Sequence, residues 1–255
     1  MFPRVTAILV VQHGGDRLRD TLAALAAQRR APDALAVVLM GSDPATREAV
    51  ASARPSHVVQ VEERMPFGEA VRTAERLLDA PASDADALWL LAEDSAPDAG
   101  ALAALVATLE RARSVAIAGP KLVDWDDAAR FVSFGRTLTR FGRSVPIVAG
   151  ELDQGQHDGL SDVLGVDPAA MLVRHSVFRS IEGFDPGLPA ADDALDLAVR
   201  ARLAGHRVEV VPAARVRFAG IGAAWPDRAR GGRAARRRGR EARTAELHRR
   251  LAYAP

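Results

Sequence analysis

Apolar residues fall along this chain in two alternating rhythms. Val5-Thr-Ala-Ile-Leu-Val-Val11 is an almost unbroken aliphatic run, the pattern of a strand buried on both faces of a parallel sheet. It ends at Gly14-Gly15, after which Leu18, Leu22, Leu25 and Ala26 recur at helical spacing, with Arg29 and Arg30 where a helix C-terminus favours positive charge. The unit then repeats. Ala34 to Met40 predicts a second strand ending at Gly41-Ser-Asp-Pro44, with a helix from about Ala45 to Ala53. His57 to Val61 predicts a third strand, followed by a helix over Gly68 to Leu78. Ala87-Leu-Trp-Leu-Leu91 is a fourth strand that stops at Ala92-Glu-Asp-Ser-Ala-Pro97, and a helix over Ala99 to Arg111 and a strand over Val115 to Ala118 come next. Strands alternating with helices through short loops imply right-handed crossovers and an α/β fold with a mostly parallel sheet.

Between Gly119 and Gly165 the regularity weakens, and the segment carries the polar run Glu151-Leu-Asp-Gln-Gly-Gln-His-Asp158. It reads as loops and an edge hairpin crossing the sheet. A strand over Ala170 to Arg174, a loop at Gly183-Phe-Asp-Pro-Gly187, a helix from about Asp193 to Ala204 and a strand over Arg207 to Val211 close the domain. The division expected is a domain over 1–220 and a basic tail over 221–255.

Composition changes this picture in three ways. Hydrophobic residues make up 48% of the chain and aromatics 5%, so one sizeable core built from small aliphatic side chains is expected. The absence of cysteine rules out disulfides, thiolate metal sites and a cysteine nucleophile. With no signal-peptide pattern and nothing near the roughly 20 apolar residues of a membrane span, the expected location is cytoplasmic. The net charge of +1 conceals an uneven distribution: from Arg228 to Arg250 ten arginines face only Glu241 and Glu246.

Ligands of open α/β sheets bind beyond the carboxyl ends of the strands, which singles out three loops. In Gln12-His13-Gly14-Gly15 the glycines would let backbone N–H groups approach a ligand, or simply make a turn. Glu93 and Asp94, at the end of a wholly apolar strand, can hold a divalent cation or cap the following helix. Asp192, Asp193 and Asp196 open a helix that carries Arg200 and Arg202 later on. A carboxylate there can deprotonate a hydroxyl, or again serve as a cap.

The order and spacing of these segments resemble family 2 glycosyltransferases, particularly the N-terminal domain of large actinobacterial membrane-associated members. The resemblance is carried by Val10-Val-Gln-His-Gly-Gly15, Gln28-Arg-Arg-Ala-Pro-Asp33, Phe67-Gly-Glu-Ala70, Trp89-Leu-Leu-Ala-Glu-Asp-Ser-Ala-Pro97, Glu151 to Asp158, Val163-Leu-Gly-Val166, Met171-Leu-Val-Arg174, Gly183-Phe-Asp-Pro186 and Asp196 to Val208. It implies a GT-A fold, a nucleoside diphosphate sugar donor, a Mg²⁺ or Mn²⁺ ion held by an Asp-x-Asp element, and inversion by a carboxylate base. By position it implies that Asp94 is the second acid of the metal element. Gln12, His13 and Gly14, with Gly68 and Glu93, then belong to the nucleotide-sugar site, and Asp193, or Asp192, is the base.

Four positions depart from the family pattern: the first metal acid falls on Ala92, the nucleoside-contacting acid on Leu39, the strict base position on Ala194 and the late histidine on Phe218. Two functions therefore compete. One is transfer of a sugar to a cell-envelope glycan or lipid-linked acceptor; the other is a catalytically degenerate domain that binds a glycan or scaffolds a larger membrane protein. The arginine tail is expected to be a linker lying against anionic lipid at the inner membrane face, in a chain cut from a longer one. No nucleic-acid partner is expected, since no nucleic-acid fold accompanies the charge.

Overall fold

A computed structural model describes residues 3–140, 142, 144–186, 188 and 193–220. In chain order the elements are β1 (Val5–Val11), α1 (Asp16–Ala26), β2 (Ala34–Met40), α2 (Pro44–Ser52), β3 (His57–Val61), α3 (Phe67–Glu75), β4 (Ala87–Ala92), β5 (Ser95–Pro97), α4 (Ala101–Arg111), β6 (Val115–Asp124), β7 (Phe131–Leu138), β8 (Ser144–Val148), β9 (Met171–Arg174), α5 (His175–Ser180), α6 (Asp193–Leu203) and β10 (Arg207–Phe218). The main path of the sheet runs β3-β2-β1-β4-β9-β6-β10-β5. Every residue of β1 and β4 is buried, as their unbroken apolar runs require.

The α/β class holds, but the sheet has two characters. β3, β2, β1 and β4 are parallel, whereas β9 lies antiparallel between β4 and β6. The reason is topological: β7 reverses from β6 and β8 reverses again, so the chain is back at the carboxyl edge when it enters β9. Two elements fall outside the sequence expectation. Ser95–Pro97, read as loop, is a short strand on β10 that ends at a proline, which has no N–H to offer an edge. His175–Ser180 is a short helix directly after β9. β10 also runs past the expected Val211 to Phe218, because a register shift between Val211 and Arg215 carries it over Pro212 and resumes pairing with β6.

At the opposite edge the sheet is pinned by acids. Asp86 accepts the N–H groups of Arg4 and Ala82 and the hydroxyl of Ser83. Burial pushes its pKa up, but these hydrogen bonds outweigh burial and hold it below the usual carboxylate range. Asp153 is lowered in the same way, by Lys121, Gly155 and Arg215, and Glu75 by its hydrogen bond from His175. Acids with depressed folded pKa values contribute their full stability above the unfolded value of about 4 and lose it as pH falls through the folded one. Urea midpoints measured against pH are therefore expected to fall on acidification below about pH 4, and Asp86→Asn is expected to flatten that slope.

Candidate active site

β1 and β4 are neighbours in parallel register, Val10 opposite Ala92, so the residues leaving the two strands meet at the carboxyl edge. Glu93 is 3% exposed and gathers the first loop around its carboxylate. Its oxygens accept the N–H of Gln12 at 3.0 Å, of His13 at 2.9 Å and of Gly14 at 2.8 Å, and His13 Nδ1 lies 2.9 Å from Oε1. Thr21 of α1 adds a bond to the Glu93 carbonyl. A carboxylate is acceptor-only, so Nδ1 carries the proton and Nε2 is the ring atom left for other contacts. The His13 side chain is 43% exposed.

This arrangement corrects two expectations. The amides of Gln12, His13 and Gly14 are spent on Glu93 rather than presented to a ligand. Nor does either acid cap the helix after Pro97: the N-cap of α4 is Gly100, with no side-chain cap bond. Gly14 is required for another reason. It has φ +74°, and a Cβ there would lie 2.0 Å from Thr46 Oγ1 of α2. Gly14→Ala is expected to cost about 2 kcal/mol, from left-handed strain and the displaced Thr46, measurable by urea denaturation.

The loop is tied onward. Gln12 Nε2 donates to the Met65 carbonyl at 3.1 Å, just before α3. In the first turn of α3 sits Gly68, where a Cβ would come 2.6 Å from Asp193 Oδ2 and 2.8 Å from Phe184. Asp193 is the first residue of α6 and is 6% exposed. Arg72 donates to the Phe184 carbonyl, while Arg200 donates to the carbonyls of Ile181 and Gly183 and to Asp196. These arginines clamp the Gly183–Phe184 turn between α3 and α6, and Phe184 packs edge-on against Phe67 and Phe178. Hydrogen bonds thus link His13, Glu93 and Gln12 to Met65, three residues before Gly68, beside which Asp193 lies. Asp192 lies outside the described residues.

Asp94 is fully buried, and its carbonyl accepts the N–H of Ala219 at 3.2 Å. Phe218 lies opposite Ser95 in the β5–β10 pair, so the family's late-histidine position does stand beside Asp94, but a buried phenyl ring occupies it. Ala92, Leu39 and Ala194 are buried too.

Three features lie outside what was expected from the sequence. Ser42, two residues beyond β2, has a buried hydroxyl with no hydrogen-bond partner among the described residues. The polar run expected to form a loop is folded over Lys121: Nζ lies 2.9 Å from Asp153 and 2.5 Å from Asp158, and Arg215 adds a second bond to Asp153. Its signal was available, since Lys121 is the chain's sole lysine. Third, the Trp125 ring has two arginines against it, Arg17 and Arg217.

The profile of the family described as Glycosyltransferase like family 2 matches residues 3–244. The chain belongs to this family. The match of this family 2 glycosyltransferase domain continues into the stretch read as a basic tail. No curated protein matches the chain. Among solved structures it is similar to a Pyrobaculum calidifontis mannosyltransferase in complex with GDP-Man and Mn²⁺, with TM-score 0.67 and 17% identity over 99% of this chain and 65% of that one. It is also similar to GalNAc-T7 with UDP, GalNAc and Mn²⁺, with TM-score 0.65 and 14% identity over 85% of this chain and 44% of that one. A third likeness is to Staphylococcus aureus TarS 1–349, with TM-score 0.58 and 14% identity over 85% of this chain and 60% of that one. The family 2 domain therefore has the GT-A fold and spans less than two thirds of each of these chains.

Two of those relatives hold Mn²⁺, which makes the fit of a divalent ion a question for this site. Among the described residues no group of three histidine, cysteine or acidic side chains converges on a point. Asp94 is buried, Glu93 is committed to the first loop, and a methyl and a phenyl stand at the positions of Ala92 and Phe218. Hard divalent cations want several oxygen or nitrogen ligands. The donor set among the described residues does not fit one.

Proposed function

We propose that this domain transfers a glycosyl group from a nucleoside diphosphate sugar to a hydroxyl of a cell-envelope glycan or lipid-linked acceptor, with inversion. The observation that carries the reading is the contact of Asp193 Oδ2 with Gly68, in a unit bonded through Gln12 to the Glu93-centred first loop. It joins the candidate base to the candidate nucleotide loop at the edge where α/β sheets bind ligands. In the reaction, the acceptor hydroxyl gives its proton to Asp193 and its oxygen bonds to the anomeric carbon. The bond from that carbon to the phosphate oxygen breaks, and the nucleoside diphosphate leaves with the electron pair. The His13 ring and Ser42 hydroxyl are the nucleoside-side contacts, and Asp192 is the second candidate base. Incubation with a panel of nucleotide sugars and polyprenyl-phosphate or glycan acceptors is expected to release UDP or GDP only with acceptor present. NMR of the product should show an inverted anomeric centre; a retained one overturns this mechanism.

The second reading, a degenerate domain that binds or scaffolds, is favoured by the four buried apolar side chains at Leu39, Ala92, Ala194 and Phe218. Calorimetry separates the two readings. A transferase binds UDP or GDP, whereas a scaffold shows no heat with either, with or without Mn²⁺.

No helix among the described residues is long and apolar enough to cross a membrane. We place the domain at the inner face of the cell membrane through its arginine-rich segment, whose formal charge of +8 over Arg228 to Arg250 would attract anionic lipid at about 1 kcal/mol per arginine, screened by salt. The full chain is expected to co-sediment with anionic vesicles at low salt, and a chain cut after Asp227 is expected to stay in the supernatant. Equal sedimentation of the two excludes membrane apposition.

A further inference from the structure

A transferase of this kind has to neutralise the charge that develops on its diphosphate leaving group, and the donor set at Asp94 does not fit the cation that would do so. Two arginines share one aromatic ring beside the neighbouring strand β10. Arg17 lies in the first turn of α1, three residues beyond Gly14 of the first loop, and its guanidinium carbon is 5.6 Å from the centre of the Trp125 ring. Arg217 reaches the same ring at 5.4 Å from β10. In the β5–β10 register Arg217 faces Ala96, Phe218 faces Ser95 and the N–H of Ala219 bonds Asp94, so Arg217 is two register positions from Asp94. Trp125 itself follows Asp124, the last residue of β6, which pairs with Phe218.

We propose that Arg17 and Arg217, oriented by Trp125, bind the donor diphosphate in place of a divalent cation. This inference rests on the transferase reading. The neighbouring arginines have carboxylates: Arg215 has Asp153 and Asp98, and Arg19 has Asp16. Arg17 and Arg217 form no ion pair or hydrogen bond among the described residues. The nearest acids are engaged elsewhere, Asp16 by Arg19 and Asp124 by the N–H groups of Asp126 and Asp127. Two like charges on one aromatic ring repel each other, and an anion between them removes that cost. The ring holds each guanidinium through its quadrupole, leaving the fork of N–H donors to meet phosphate oxygens bidentately. Two such groups bring the same +2 charge as Mg²⁺ or Mn²⁺.

The test is calorimetric titration of the whole chain with UDP, GDP, uridine and guanosine, each in EDTA and in excess Mn²⁺. We expect UDP or GDP to bind in EDTA, with Mn²⁺ changing affinity by less than about threefold, and the Arg17→Ala/Arg217→Ala double variant to lose about tenfold or more, as expected for charge-assisted pairs. Nucleoside binding should be the same in both proteins, since only the diphosphate is addressed. Should the double variant fail to fold by circular dichroism, Arg17→Ala alone carries the test, because Arg17 lies on an α1 surface only partly covered. Binding that requires Mn²⁺, or diphosphate affinity unchanged in the variant, overturns the inference and leaves the transferase reading standing. Failure of UDP and GDP to bind under either condition overturns both.

Discussion

Asp193→Asn is expected to lower turnover by about 10²-fold to 10⁴-fold, the range a positioned general base supplies, while donor affinity stays within about twofold. Asparagine keeps the shape of the side chain and so the packing against Gly68, but it cannot accept the acceptor's proton. The separation of kcat from binding is the informative result. Loss of both, together with a lower melting temperature, would make Asp193 a packing residue of the α3–α6 contact. Unchanged turnover would move the base to Asp192 or remove it from this helix.

The second large effect is on stability. The Glu93 carboxylate satisfies three backbone N–H groups and the His13 Nδ1 proton in a site nearly closed to water. In Glu93→Gln one of the two oxygens becomes an NH₂ group that faces donors. An amide oxygen accepts two hydrogen bonds, so about two buried donors are orphaned. At 1–3 kcal/mol for each, the expected loss is about 3 kcal/mol, or about 6–12 °C in melting temperature for a domain of this size. Urea and thermal denaturation measure it. A loss under about 1 kcal/mol would mean that the first loop is held by something other than this carboxylate. Glu93→Asp is expected to be nearly as damaging, because one methylene less takes the carboxylate out of reach of Gly14.

Both predictions rest on contacts between residues far apart in the chain, whereas what could be read locally was read closely. β2 and β3 begin and end where the apolar runs do, at Ala34–Met40 and His57–Val61. α6 starts at the expected Asp193. α3 stops at Glu75, short of the Leu78 suggested by periodicity. The first loop and Glu93 meet at one edge of the sheet because β1 and β4 are parallel neighbours that end there. The side-chain roles within those loops were not legible: Glu93 offered a cation or a cap, and it is instead the acceptor for a loop 79 to 81 residues earlier.

The sequence by itself determined the α/β class, the positions of the parallel strands β1 to β4 and the family, since each depends on local hydrophobic period or on ordered motifs along the chain. Only the tertiary structure decided the antiparallel insertion of β9, the burial of Lys121 beneath Asp153 and Asp158, the close approach of Gly68 to Asp193, and the meeting of Arg17 and Arg217 on Trp125. Hydrophobic burial marks which residues go inside and with what period, and it is non-directional. Hydrogen bonds and ion pairs are short-ranged and directional, so their partners exist only once the sheet has brought distant strand ends side by side.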